Sequence, residues 1–153
     1  MSKVVTFCTK FPSYHPKKSE RTFFVEKIWK GLWDLEKGRH IPFDWRPYDE
    51  AFPCTFDNGE DIHTHKPKWH TIRIGDKRKV GNYFSPRVWG NDINPKSGRK
   101  GAYHSKQITF APDLEIKYCP SIEIYKTSEI IIAGKFYSCF GTSKSNELAL
   151  NDG

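Results

Sequence analysis

Phe24-Val25-Glu26-Lys27-Ile28-Trp29-Lys30-Gly31-Leu32-Trp33-Asp34-Leu35 carries the pattern that decides the fold. Phe24, Ile28, Leu32 and Leu35 recur at three- and four-residue steps with Val25, Trp29 and Trp33 beside them, while Glu26, Lys27, Lys30, Asp34 and Lys37 fall mainly elsewhere. That period predicts one amphipathic helix, starting near Ser19 or Glu20 and stopped by Gly38. Upstream, Val4-Val5-Thr6-Phe7-Cys8 is short and rich in β-formers and predicts a first strand. The apolar face of the helix is therefore expected to cover a sheet. Between the two, Phe11 to Lys18 holds Pro12 and Pro16 without periodicity and predicts an irregular segment.

Downstream the punctuation is denser. Residues 41 to 62 contain Pro42, Pro47, Pro53 and Gly59 and predict few regular elements. Tyr83-Phe84-Ser85-Pro86-Arg87-Val88-Trp89 reads as an extended segment interrupted by proline, and Gly90 to Gly101 as a mobile basic loop. Ser105 to Ile116, Ser121 to Lys126, Glu129 to Ala133 and Lys135 to Cys139 are further strand candidates, divided by Pro112, Pro120 and Gly134. One long helix with about six short strands predicts an α+β protein whose sheet closes partly into a small barrel. With 153 residues this is one domain, taken as 1–140, followed by a polar tail over 141–153. The 5 Trp, 7 Tyr and 11 Phe supply the core, since each ring buries roughly 150–250 Å².

Several classes are excluded. No stretch approaches the roughly 20 apolar residues that cross a bilayer, and MSKVVTFCTK lacks the apolar core of a secretory signal. The expectation is a soluble, cytoplasmic protein with no membrane partner. Cys8, Cys54, Cys119 and Cys139 form no CxxC pair, so they read as free, partly buried thiols without assigned chemistry.

The formal charge is +7, and it is regional. Residues 1–61 are neutral and 107–153 carry −2, whereas 62–106 carry +9 from eleven cations against Asp76 and Asp92. Trp69, Tyr83, Phe84, Trp89 and Tyr103 lie between those cations. Interleaved cations and rings suit a single-stranded nucleic acid, which needs charge for phosphates and flat faces for bases. The expected phosphate-contacting set is Lys66, Arg73, Lys77, Arg78, Lys79, Arg87, Arg99, Lys100 and Lys106, with Trp89 for a base.

Within this third, Lys68-Trp69-His70-Thr71-Ile72-Arg73 fits K-x-x-T-x-R. Extended backbone puts Thr71 and Arg73 on one face, and a turn or bulge brings Lys68 to them. Arginine can fork onto phosphate, lysine can serve as a point charge or base, and threonine offers a hydroxyl. The order of a strand ending in Thr-Phe, a long helix, K-x-x-T-x-R and a turn at Val80-Gly81 resembles the ASCH domain of the PUA-like superfamily over roughly residues 4 to 130. Phe84 to Trp89 followed by Ser105-Lys106-Gln107-Ile108 is similar to ASCH-like proteins of gut bacteria and their phages.

The resemblance implies a small barrel flanked by helices, with the motif in the cleft between them, and binding of RNA or a nucleotide. For particular members it implies hydrolysis of an acylated cytidine or ribonuclease action. The family motif is G-x-K-x-x-T-x-R, and Lys66 stands where its glycine would, adding charge at the cleft entrance. In the amidohydrolase members a later glutamate joins the lysine and threonine. The resemblance thus implies Lys68, Thr71 and Glu123 as catalytic residues, with Glu115 and Glu129 as other sources of the carboxylate.

Asp61, His63, His65 and His70 read as the beginning of a metal site, as acid–base and phosphate-contacting groups, or as polar loop residues with no specific role, and His104 as a candidate for the cleft wall. No metal and no cofactor is assigned. The expectation is an RNA- or nucleotide-binding protein, with hydrolysis of that ligand by ribonuclease or amidohydrolase action left open. The alternative is a non-catalytic binding protein, such as a phage accessory factor that sequesters a nucleotide or contacts a partner protein.

Overall fold

The computed structural model describes residues 2–36, 43–52, 64–68, 71, 78–124 and 129–138. The described residues form a mixed α/β protein with two helices, α1 (Phe24–Leu35) and α2 (Arg46–Ala51). Its seven strands are β1 (Lys3–Phe7), β2 (Tyr83–Trp89), β3 (Gln107–Thr109), β4 (Leu114–Glu115), β5 (Ile122–Ile124), β6 (Glu129–Ile132) and β7 (Lys135–Ser138). They make two sheets, and among the described residues neither closes on itself. The chain divides into two compact units, one of residues 1–69 and 83–115, the other of 70–82 and 116–153.

In the first unit β1 lies parallel to β2, from Lys3 beside Phe84 to Phe7 beside Val88. Parallel neighbours need a crossover, and α1 and α2 lie within this one. The pleat turns Val5 and Phe7 inward, together with Val88 of β2. Phe24, Val25 and Ile28 of α1, Tyr48 of α2, and Phe110 and Ala111 complete that core. Phe7 meets Phe110 edge to face, with centroids 5.7 Å apart. The aromatic residues thus build the core that the low aliphatic content required of them.

The helix begins at Phe24, four or five residues later than the sequence pattern suggests. Long-range hydrogen bonds hold the preceding residues in a doubled-back lobe: Thr22 donates to Thr9 (3.0 Å), Phe11 to Glu20 (3.0 Å) and Ser19 to Phe11 (3.1 Å). Ser19 and Phe23 take positive φ of 67° and 54° inside that lobe, which no helix accommodates. At the other end Leu35 is 64% exposed, so the apolar stripe stops one turn short of the helix end. Gly38 lies outside the described residues. α2 occupies part of the segment expected to be irregular, with Pro47 in its first turn where no N–H is needed.

Strand β2 runs unbroken through Pro86, which is fully buried. β4 pairs Tyr83 and Phe84, β3 pairs Arg87 to Trp89, and the gap between them falls at Ser85 and Pro86. The residue with no N–H thus sits where the ladder is interrupted. There the Pro86 carbonyl accepts from Phe110 N–H at 3.3 Å. The single strand expected over Ser105 to Ile116 is therefore two short ones.

In the second unit β5, β6 and β7 form an antiparallel meander, Ile122 beside Ile132 and Ile132 beside Lys135. Ala133 and Gly134 join β6 to β7 with φ of 50° and 74°, the two positive values a primed two-residue turn requires. Residues 141–153 lie outside the described residues.

Candidate nucleic-acid interface

Side chains alternate across a strand, so the inward Val88 leaves Ser85, Arg87 and Trp89 of β2 on the opposite face. Register places Thr6 on one side of Arg87 and Thr109 on the other, and sets Trp89 beside Gln107. Arg87 Nη1 donates to Gln107 Oε1 over a long 3.5 Å, and Gln107 Nε2 donates to Thr6 Oγ1 over the same distance. Arg87 is half-buried, and its Nε is shut off from solvent with no hydrogen-bond partner among the described residues. An unpaired buried donor costs about 1–3 kcal/mol.

The segment after β2, expected to be mobile, holds itself together. Asn94 Oδ1 accepts from the amides of Lys96 (2.9 Å) and Ser97 (3.3 Å), and its Nδ2 donates to the His104 carbonyl at 2.9 Å. Asn94 N–H donates to the Arg99 carbonyl at 2.8 Å, and Gly90 N–H to the Lys106 carbonyl at 2.9 Å. Ser105 Oγ donates to the Asp92 carbonyl and accepts from Gly101 N–H, both at 2.7 Å. Asp92 is the one acid between Gly90 and Lys106, and its carboxylate accepts the Lys106 amide at 3.2 Å. Side chain to backbone bonding of this kind is invisible to composition. His104 bonds within the loop, 3.5 Å from Ser97 Oγ through Nδ1.

Lys96, Arg99, Lys100 and Lys106 are exposed on this ordered loop, and among the described residues none is in an ion pair. Tyr103 has φ 66° and is 86% exposed, with its ring 5.3 Å from that of Trp89 and tilted by 48°.

Lys68 sits elsewhere in the same unit, only 7% exposed. Its N–H donates to the Lys27 carbonyl at 3.0 Å, and its Nζ lies 4.4 Å from the centre of the Phe24 ring. Lys27 Nζ is 5.8 Å from the same ring. Burial, reinforced by the Lys17 charge, holds the Lys27 ammonium below its ordinary pKa. Phe24 is braced edge-on by Phe11, whose other contact is a stack on His15 with centroids 4.3 Å apart. Behind it, Glu26 accepts from Arg21 at 2.6 Å and from the Tyr48 hydroxyl at 3.4 Å. Desolvation first, then the Glu26 charge, push that hydroxyl above the usual tyrosine range. The i, i+3 spacing of Phe24 and Lys27 on α1 is the sequence signal for their contact.

The remaining candidates distribute as follows. Lys66 is exposed in the first unit. Thr71 and Lys79 are exposed and Arg78 half-buried in the second, where Glu123 stands exposed on β5 opposite Ile131. Lys68 on the one hand, and Thr71 and Glu123 on the other, thus belong to different units. Glu115 is half-buried on β4. Arg73, Lys77, Asp61, His63 and His70 lie outside the described residues. His65 packs against Phe23, with ring centroids 4.9 Å apart. Among the described residues no group of His, Cys, Asp and Glu could hold a metal ion, and no helix is long and apolar enough to cross a membrane. Cys8 and Cys119 are free but exposed, not partly buried. Cys54 and Cys139 lie outside the described residues. Comparison with protein-family models, with curated proteins and with solved structures returns no match.

Proposed function

We propose that this chain is an RNA- or nucleotide-binding protein of the PUA-like, ASCH kind, and that the loop from Gly90 to Lys106 with the adjoining face of β2 receives the ligand. One observation carries the reading: Lys96, Arg99, Lys100 and Lys106 project from a loop fixed by its own hydrogen bonds, and the one acid there is occupied by a backbone amide. Cations on an ordered loop with no ion-pair partner among the described residues suit a polyanion, whose phosphates position it while releasing counterions. The K-x-x-T-x-R motif and the mixed sheet under a long helix support the same family, and the barrel of that family is part of the proposal.

Titration of a fluorescein-labelled single-stranded RNA, followed by anisotropy at low salt, tests it. Saturable binding that weakens steeply with salt is the expected result. Absence of binding at low salt would refute it.

The burial of Lys68, 7% exposed as a residue, favours a second reading, in which the protein also hydrolyses its ligand. Incubation with RNA and with N-acylated cytidine is expected to show turnover that Lys68→Ala abolishes. Equal turnover by native and substituted protein would reject the role of Lys68.

A further inference from the structure

We infer that the Trp89–Tyr103 pair is a stacking platform for one unpaired base, with Arg87 holding a neighbouring phosphate, so that the protein selects single-stranded RNA over duplex. This rests on the RNA-binding reading above and names the form of RNA that the same surface takes.

Four observations lead there. Tyr103 presents its ring to solvent at 86% exposure while its neighbour Trp89 is half-buried, so the pair has an inner ring fixed by β2 and an outer ring left open. A tyrosine at φ 66° is in a conformation that side chains disfavour, and the loop bonds of Asn94 and Ser105 on either side maintain it. The platform is therefore set before any ligand arrives, which lowers the ordering cost of binding.

Arg87 precedes Trp89 by two residues on the same face of β2, a separation of about 6.6–6.8 Å along a strand. Its Nη1 reaches Gln107 only at 3.5 Å, a contact long enough to yield to a phosphate oxygen. A guanidinium and a ring at that spacing match the phosphate and the base of a nucleotide. Finally, Lys96, Arg99 and Lys100 are exposed on the same loop that carries Tyr103, so further phosphates of a strand longer than one nucleotide meet positive charge there. In a duplex every interior base is covered on both faces by its neighbours, so only a strand with an unpaired base can use the Tyr103 ring.

The test compares a labelled single-stranded oligouridine with a duplex of equal length, at one low salt concentration, on the native protein and on Tyr103→Ala and Tyr103→Phe. Native protein is expected to prefer the single strand. Tyr103→Ala should lose on the order of tenfold of that affinity with little effect on duplex, and Tyr103→Phe should restore it. Ultraviolet cross-linking of the native protein to the same oligouridine, read by mass spectrometry, should place the adduct on Trp89 or Tyr103. Native-like affinity in Tyr103→Ala, or an adduct only at other residues, would overturn the platform while leaving RNA binding intact. Failure of the native protein to bind either RNA would overturn both.

Discussion

The backbone amide of Lys68 donates to the carbonyl of Lys27 over 3.0 Å, and through that link two lysine ammonium groups come to one ring, 4.4 Å and 5.8 Å from the centre of Phe24. Helix α1 thus supplies both the anchor for the segment carrying the K-x-x-T-x-R lysine and the aromatic surface on which its charge rests. Each cation–π contact is worth about 0.5–2 kcal/mol depending on how dry it is.

Phe24 is accordingly a joint between the core and the segment that carries Lys68. Phe24→Ala removes a buried ring and is expected to lower stability by about 3–5 kcal/mol, with Phe24→Leu costing much less. Urea unfolding measures both. A Phe24→Ala protein as stable as the native one would contradict the packing described.

Tyr48 makes stability depend on alkaline pH. Its hydroxyl ionises above the ordinary 10.0 in the folded chain, because burial and Glu26 disfavour the phenolate. Above pH 10.0 the unfolded state loses this proton while the folded state keeps it, so the Tyr48 contribution to stability falls as pH rises. Lys27, with its pKa lowered, contributes in the opposite sense over the alkaline range below its ordinary 10.5. Urea midpoints compared at pH 8 and near pH 10.5 should therefore drop more in native protein than in Tyr48→Phe. An equal drop in the two would contradict the assignment.

Gly90 closes the basic loop. A β-carbon there would meet Asp92 Oδ1 at 2.8 Å and the Lys106 carbonyl at 3.1 Å, the groups that tie the two ends of the loop together. Gly90→Ala is expected to destabilise by about 1–3 kcal/mol and to speed amide exchange from Asp92 to Lys106. At Gly98, with φ of 64° and open space around it, alanine meets backbone strain but no clash, so the loop bonds should survive. Hydrogen exchange of the two variants distinguishes these cases.

Much of this architecture was legible because it follows from periodicity. Val5 and Phe7 alternate with the exposed Val4 and the half-buried Thr6 as an amphipathic strand must, the three- and four-residue steps from Phe24 mark α1, and Gly134 marks the turn between two isoleucine- and aromatic-rich strands. What was missed depends on contacts distant in sequence or on side chain to backbone bonds. The late start of α1 is imposed by Thr9, Phe11 and their partners across the lobe. The division of the last strand of the first sheet follows from Pro86 on a neighbouring strand. The order of the basic loop comes from Asn94 and Asp92, residue types that composition assigns to loops without saying whether they are fixed.

Of the proposed site, charge and ring content in the sequence single out Arg87, Trp89, Arg99, Lys100 and Lys106 as expected contacts, whereas nothing in the linear pattern indicates that Tyr103 is an exposed ring or that Lys27 shares Phe24 with Lys68.

The central claim, that the ordered basic loop binds RNA through its phosphates, is tested most directly by the salt dependence of affinity. The slope of log affinity against log salt is compared for native protein and for a Lys96→Gln, Arg99→Gln, Lys100→Gln triple variant. Each lost phosphate contact to a single strand should make the slope shallower by about 0.7. The account predicts saturable binding by the native protein and a slope about two shallower in the variant. Identical slopes, or no binding by the native protein at low salt, would contradict it.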